Sequence, residues 1–207
     1  MVMWAYLFVG TSVILAFFWA RGRQENIRIS ADILKRLESA LGPETVRYLD
    51  IGGGVGRRFE YENALGFPVI RGMLTLLPRH AVLYLPFSRM MGRSDLLTIT
   101  FVSDSFPLGI GHVISTAAWS DGWHFADDLN EMKEYSGDGF KVFAFNPLVA
   151  ERLIRLATVL AEIPGFRQLS LKHDPHSATF ILAPDPGTLD DALDSLLRVL
   201  PKPAGLR

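Results

Sequence analysis

Residues Val2 to Ala20 read VMWAYLFVGTSVILAFFWA, a run with no charge and with side-chain hydroxyls only at Thr11, Ser12 and Tyr6. As a helix rising about 1.5 Å per residue it spans roughly 28 Å, close to the hydrocarbon core of a bilayer. Trp4 and Tyr6 stand near one end and Trp19 near the other, where an aromatic belt would meet the two interfaces. A cleaved signal peptide fits poorly, because no basic segment leads the run and Phe18-Trp19-Ala20 lacks the small residue that cleavage wants. A buried core helix fits poorly too, since such helices keep a polar face over this length. The pattern predicts an uncleaved, single-pass transmembrane anchor over residues 1–21. Arg21, Arg23 and Arg28 follow it and no Lys or Arg precedes it, so the positive-inside rule places the N-terminus outside and residues 22–207 in the cytoplasm.

All 21 basic and 22 acidic residues lie beyond that run, so the rest of the chain reads as an ordinary water-soluble domain. A net charge of −1 argues against a large nucleic-acid footprint. The absence of cysteine removes a disulfide frame, a thiolate zinc site and a cysteine nucleophile. Ser30 is placed to cap a helix over Ala31–Leu41, with Ile33, Leu34, Leu37 and Leu41 on one stripe and Gly42-Pro43 as its stop. From about 44 to 120 the texture is β-rich. Strands are predicted at Val46–Ile51, Arg57–Glu62, Val69–Leu76, Ala81–Pro86, Leu96–Val102 and His112–Trp119, paired antiparallel. A short helix is predicted around Ala126–Glu131.

From about 139 to 200 the pattern becomes β-α-β-β-α. It comprises a strand at Phe140–Phe145, a helix capped by Asn146 with Pro147 at its first position, a hairpin of Gln168–His173 and Ala178–Ala183, and a helix capped by Thr188. That is the ferredoxin-like order lacking one strand, which the β-rich half can supply. The fold class is therefore α+β: an anchor, then one continuous domain over 22–207, with residues 201–207 as a loose tail.

The sharpest local string is Tyr48-Leu49-Asp50-Ile51-Gly52-Gly53-Gly54-Val55-Gly56. It resembles motif I of the class I S-adenosylmethionine-dependent methyltransferases. The resemblance implies that Asp50, Gly52, Gly54 and Gly56 would form a cofactor turn, its glycines letting backbone N–H groups approach the ligand. A hairpin whose glycines supply positive φ accounts for the same residues. The direction of the strands on either side of the string separates the two readings.

Other chemistry-bearing groups are scattered. His173 and His176 flank Asp174 at a hairpin and have the spacing of two metal ligands, or of exposed imidazoles in a polar loop. His112, Trp119, Asp121, Trp123 and His124 form a polar–aromatic cluster with His124 as a candidate proton carrier. Ser103-Asp104-Ser105 lacks the glycine setting of a hydrolase nucleophile. Arg71, Arg79, His80, Arg89 and Arg93 interleave with apolar runs, as at a surface facing anionic lipid or as solvated side chains of core strands. No metal and no catalytic residue is assigned. The expected function is that of a membrane-anchored, non-enzymatic accessory or assembly subunit. Its partners would be the bilayer and other membrane-protein subunits, with Gly10, Thr11 and Ser12 allowing close helix packing. The alternatives are a membrane-tethered methyltransferase and a lipid- or apolar-ligand-binding module with a β-rich cup.

Overall fold

The computed structural model describes residues 2–103, 109–122, 128–173 and 176–200. The chain begins with one helix, α1 (Val2–Leu41). It continues with β1 (Thr45–Gly52), β2 (Gly56–Ala64), β3 (Phe67–Thr75), α2 (Tyr84–Met90), β4 (Leu96–Val102), β5 (Gly111–Ser115) and α3 (Thr116–Ser120). After a 3-10 turn at Leu129–Glu131 come β6 (Lys133–Gly137), β7 (Phe140–Ala144), α4 (Pro147–Leu160), β8 (Phe166–His173), β9 (His176–Leu182) and α5 (Leu189–Val199).

The strands form one nine-stranded sheet in the order β1-β2-β3-β4-β9-β8-β5-β7-β6. Every neighbouring pair is antiparallel. β5 lies between β7 and β8, so those two run parallel and α4 joins them as a split β-α-β unit. The strand missing from the ferredoxin-like order thus comes from the segment that precedes it in the chain.

Alternation decides which face is buried. Phe59, Tyr61, Ile70, Leu97, Phe101, Phe180, Leu169 and Val142 point to one face, where the second half of α1 and the apolar stripes of α4 and α5 cover them. Over β5 and β7 the other face is closed by α3 and the 3-10 turn, through Ile114, Phe143, Ala118 and Met132. Over β1 to β3 that face stays open and carries an ionic ladder: Arg47 bridges Glu62 at 3.0 Å and Arg71 bridges Glu60 at 2.7 Å.

The expected transmembrane anchor is not what the structure shows. Among the described residues no helix is long and apolar enough to cross a membrane. The predicted break between Ala20 and Ser30 does not exist, since α1 runs unbroken to Leu41. α1 continues from the apolar stretch straight into Arg21, Arg23, Glu25 and Arg28, so that stretch is part of one longer helix and not a separate element. Ser30 is consequently no cap; it sits inside α1 and is buried.

Three further expectations change. Ala81–Pro86 is not a strand but the approach to α2 and its first turn, where the missing N–H of Pro86 costs nothing. β6 was not expected, because its sequence KEYSG has no apolar alternation and it forms an edge. The predicted strand at His112–Trp119 stops at Ser115, whose side chain accepts from the Ala118 N–H and starts α3. The Asn146 cap is present, accepting from the Leu148 N–H at 2.8 Å, whereas the Thr188 side chain makes no cap bond. The predicted helix at Ala126–Glu131 lies partly outside the described residues; its described end is the 3-10 turn. The tail 201–207 also lies outside them.

Candidate functional site

α1 changes character at the point where it leaves the body. At Gly22 the helix touches the connector after β3 so closely that a Cβ would run into the Arg79 carbonyl. One turn on, the fully buried Asn26 donates through Nδ2 to the Leu77 carbonyl at 2.9 Å and accepts from Arg79 at 3.0 Å. Arg79 also grips Asp95, which stands just before β4, with two bonds of 3.1 and 2.7 Å, and Asp95 accepts the Leu77 N–H at 2.7 Å. Glu25 lies 3.5 Å from the Arg79 Nε. Arg79 and Asp95 are 11% and 13% exposed, so the pair is charge-assisted, bidentate and largely removed from water. This clamp fixes the direction in which the first half of α1 leaves the sheet.

Beyond the clamp every described residue from Met3 to Arg21 is exposed. Trp4 is 71% and Phe8 76% exposed, values opposite to those of a core helix. The two hydroxyls of the stretch are satisfied within it, Thr11 donating to the Leu7 carbonyl and Ser12 to that of Phe8. The helix therefore presents almost only hydrocarbon and aromatic surface. Leu15, Ala16 and Trp19 share a groove with His80–Tyr84, and the Arg23 guanidinium lies over the Trp19 ring at 5.6 Å. Next to the groove α2 exposes Leu83, Phe87, Met90 and Met91. Exposed apolar surface of this extent is uncommon on a folded protein in water.

The glycine string forms the hairpin between β1 and β2. The two strands are antiparallel and in direct contact, and a strand follows Gly56 where the methyltransferase resemblance implies a helix. Gly52, Gly53 and Gly54 have φ of 100°, 66° and 67°, a left-handed run that side chains resist. The Asp50 carboxylate accepts the Gly52 N–H at 2.8 Å and closes the turn. Asp50, Gly54 and Gly56 do come together with Asn26 and Ser30, but around a cavity of about 20 Å³. That is room for one water, whereas sites for drug-sized ligands start at roughly 300 Å³. The four residues organise a turn beneath the clamped part of α1. Nor does the β-rich half close into a cup, since its sheet is open at β1.

The histidines divide. His112 is fully buried on β5, with Nε2 2.9 Å from Asp128 Oδ1. Burial holds its imidazole below the ordinary range, against the pull of Asp128. Beside it the Trp119 ring stacks on Phe143 and lies under the Lys141 ammonium, while Asp121 pairs with Arg167 at 3.3 Å. Trp123 and His124 of this predicted cluster lie outside the described residues, as do Asp104 and Ser105. The His173 and His176 rings meet edge to face at 4.2 Å across the β8–β9 hairpin; Asp174 is outside the described residues. Among the described residues no group of three His, Asp or Glu side chains gathers as metal ligands do.

Of the basic residues singled out with apolar runs, Arg71 joins the ionic ladder and Arg79 the clamp. Arg89 is exposed on the last turn of α2, and Arg93 bonds to the Tyr84 hydroxyl. The clamp was not predicted. Its only sequence signal is a buried-type Gly–Asn pair inside a helix, and its partners lie more than 50 positions away. In comparisons with known proteins, no protein-family model matches the chain and no curated protein is similar to it.

Proposed function

We propose that this protein is a non-enzymatic accessory or assembly protein that works at a membrane. The apolar half of α1 attaches it to lipid or to other membrane-protein subunits, with the folded body at the cytoplasmic face. The observation that supports this is the exposure, on every side, of the apolar residues between Met3 and Trp19. Burying that surface releases roughly 25 cal/mol per Å² of apolar area, so an apolar partner is strongly favoured over water. Arg21, Arg23 and Arg28 follow the stretch, which suits an anionic cytoplasmic leaflet. What is proposed is attachment by this surface, with no crossing of the bilayer. Polar groups elsewhere in the sheet bond to one another: the buried Gln168 donates to Ser170 at 2.7 Å, and the half-buried Thr100 and Thr179 hydroxyls meet at 2.9 Å.

The test compares the full chain with a triple variant, Phe8→Glu, Ile14→Glu and Phe17→Glu, in vesicle flotation at high salt. The full chain is expected to rise with the lipid and the variant to stay behind, while both melt at the same temperature. A variant that still floats would show that α1 is not the attachment.

A further inference from the structure

α2 carries the residue pattern of a core-facing helix but turns it away from the core. Leu83, Phe87, Met90 and Met91 follow the i, i+4, i+7, i+8 spacing of one helical stripe. All four are exposed, Leu83 at 85% and Met90 at 79%. The contact with the body is made instead by Ser88, which is fully buried. Along the chain around this stripe the charge has one sign, and the acidic side chain that lies against Gly92, Asp121, is paired with Arg167. From Asn63 to Ser94 there is no Asp or Glu, and the charged residues are Arg71, Arg79, Arg89 and Arg93. Arg79 belongs to the clamp and Arg71 pairs with Glu60, while Arg89 is exposed beside the stripe. Arg93 is held there by the Tyr84 hydroxyl and lies over the Tyr84 ring at 5.8 Å.

We infer that the Leu83–Met91 segment is a second lipid contact. It would lie on an anionic bilayer surface with Leu83, Phe87, Met90 and Met91 at the acyl boundary and Arg89 at the phosphates. The occupant is lipid for two reasons. An apolar stripe with an exposed arginine on its flank is complementary to an anionic interface, where long basic side chains reach up to the headgroups. The stripe is also continuous with the apolar half of α1, because Leu15, Ala16 and Trp19 share a groove with His80–Tyr84. One membrane surface can therefore meet both elements, and the clamp at Arg79 sets the angle between them. The inference rests on α1 being the attachment. It adds that the body is laid down on the membrane in one orientation instead of swinging from α1.

The chain has no cysteine, so a single one can carry a probe. Full-length Met90→Cys and, as a control, Leu148→Cys at the exposed start of α4 are labelled with an environment-sensitive fluorophore. They are mixed with phosphatidylcholine vesicles with and without about 30% phosphatidylserine. The label at position 90 is expected to shift to the blue with the anionic vesicles, and that at 148 to stay unchanged. Arg89→Glu in the Met90→Cys background is expected to weaken the phosphatidylserine-dependent response about fivefold or more. If the protein floats while the label at 90 does not shift, the second contact is wrong and the attachment by α1 stands. A shift that is equal in pure phosphatidylcholine and untouched by Arg89→Glu overturns the anionic recognition. If the chain floats with neither vesicle, both readings fall.

Discussion

The two halves of α1 belong to one helix and live under opposite rules. In the second half, Ile33, Leu34, Leu37 and Leu41 are buried against the sheet. There, apolar residues on one stripe are matched by polar ones on the other, such as Arg36, which bridges Asp32 and Asp190. In the first half the apolar residues surround the axis and touch almost nothing of the body. Helical hydrogen bonding is shared by both, so it does not separate them; packing does. The folded body stabilises one half, and the other is left exposed.

Four measurements can break or sharpen that contrast. The largest effect is expected at Leu37, which is fully buried: Leu37→Ala should lower the unfolding free energy by about 3–4 kcal/mol in urea denaturation. Next comes the junction. Asp95→Ala leaves the Arg79 charge largely out of water with only the longer contact to Glu25 as its ion pair, and removes the acceptor of the Leu77 N–H. It should cost about 2–3 kcal/mol and speed proteolysis around Gly22.

A smaller effect belongs to the contact of α1 with β1, where the Tyr48 hydroxyl joins Glu38 to Tyr61. Tyr48→Phe should cost about 0.5–1 kcal/mol. Burial, with the Glu38 bond second, pushes the Tyr48 pKa up to about 12. An unfolded tyrosine ionises near 10, so this contribution is complete below pH ~10 and disappears as the pH rises toward 12. Tyr48→Phe should flatten part of that alkaline loss in a pH series of melts, with Tyr61, also raised by burial, keeping the rest. The smallest effect is expected in the first half of α1, where Leu7→Ala should change the melting of the body by less than about 0.5 kcal/mol. A loss at Leu7 as large as that at Leu37 would mean that the body itself covers the first half.

Much of the fold could be read from local pattern. Leu96–Val102 is a strand over the predicted residues, because alternate apolar side chains mark a face whichever neighbour supplies it. The cap at Asn146 and the hairpin at Gly52–Gly56 are also local, fixed by one side chain and by backbone freedom at a few residues. The candidate surface was half legible. Its apolar run was plain, but its membrane-crossing interpretation assumed that the helix ended where the charges began. Helix propensity and the bonds of Asn26 to Leu77 and Arg79 carry α1 straight through. The α2 stripe was hidden by an apolar run that suits strand and helix equally.

The sequence by itself determined the α+β class, the chain order of most strands and helices, the charge-free run, and the acid-free stretch from Asn63 to Ser94. Those follow from side-chain periodicity and charge along a few turns of chain. Only the tertiary structure decided that β5 enters between β7 and β8, that β4 pairs with β9, and that Arg79 joins Asn26 to Asp95. Each joins segments that are distant along the chain, and the energy of such a contact is gained only once the chain has closed around it.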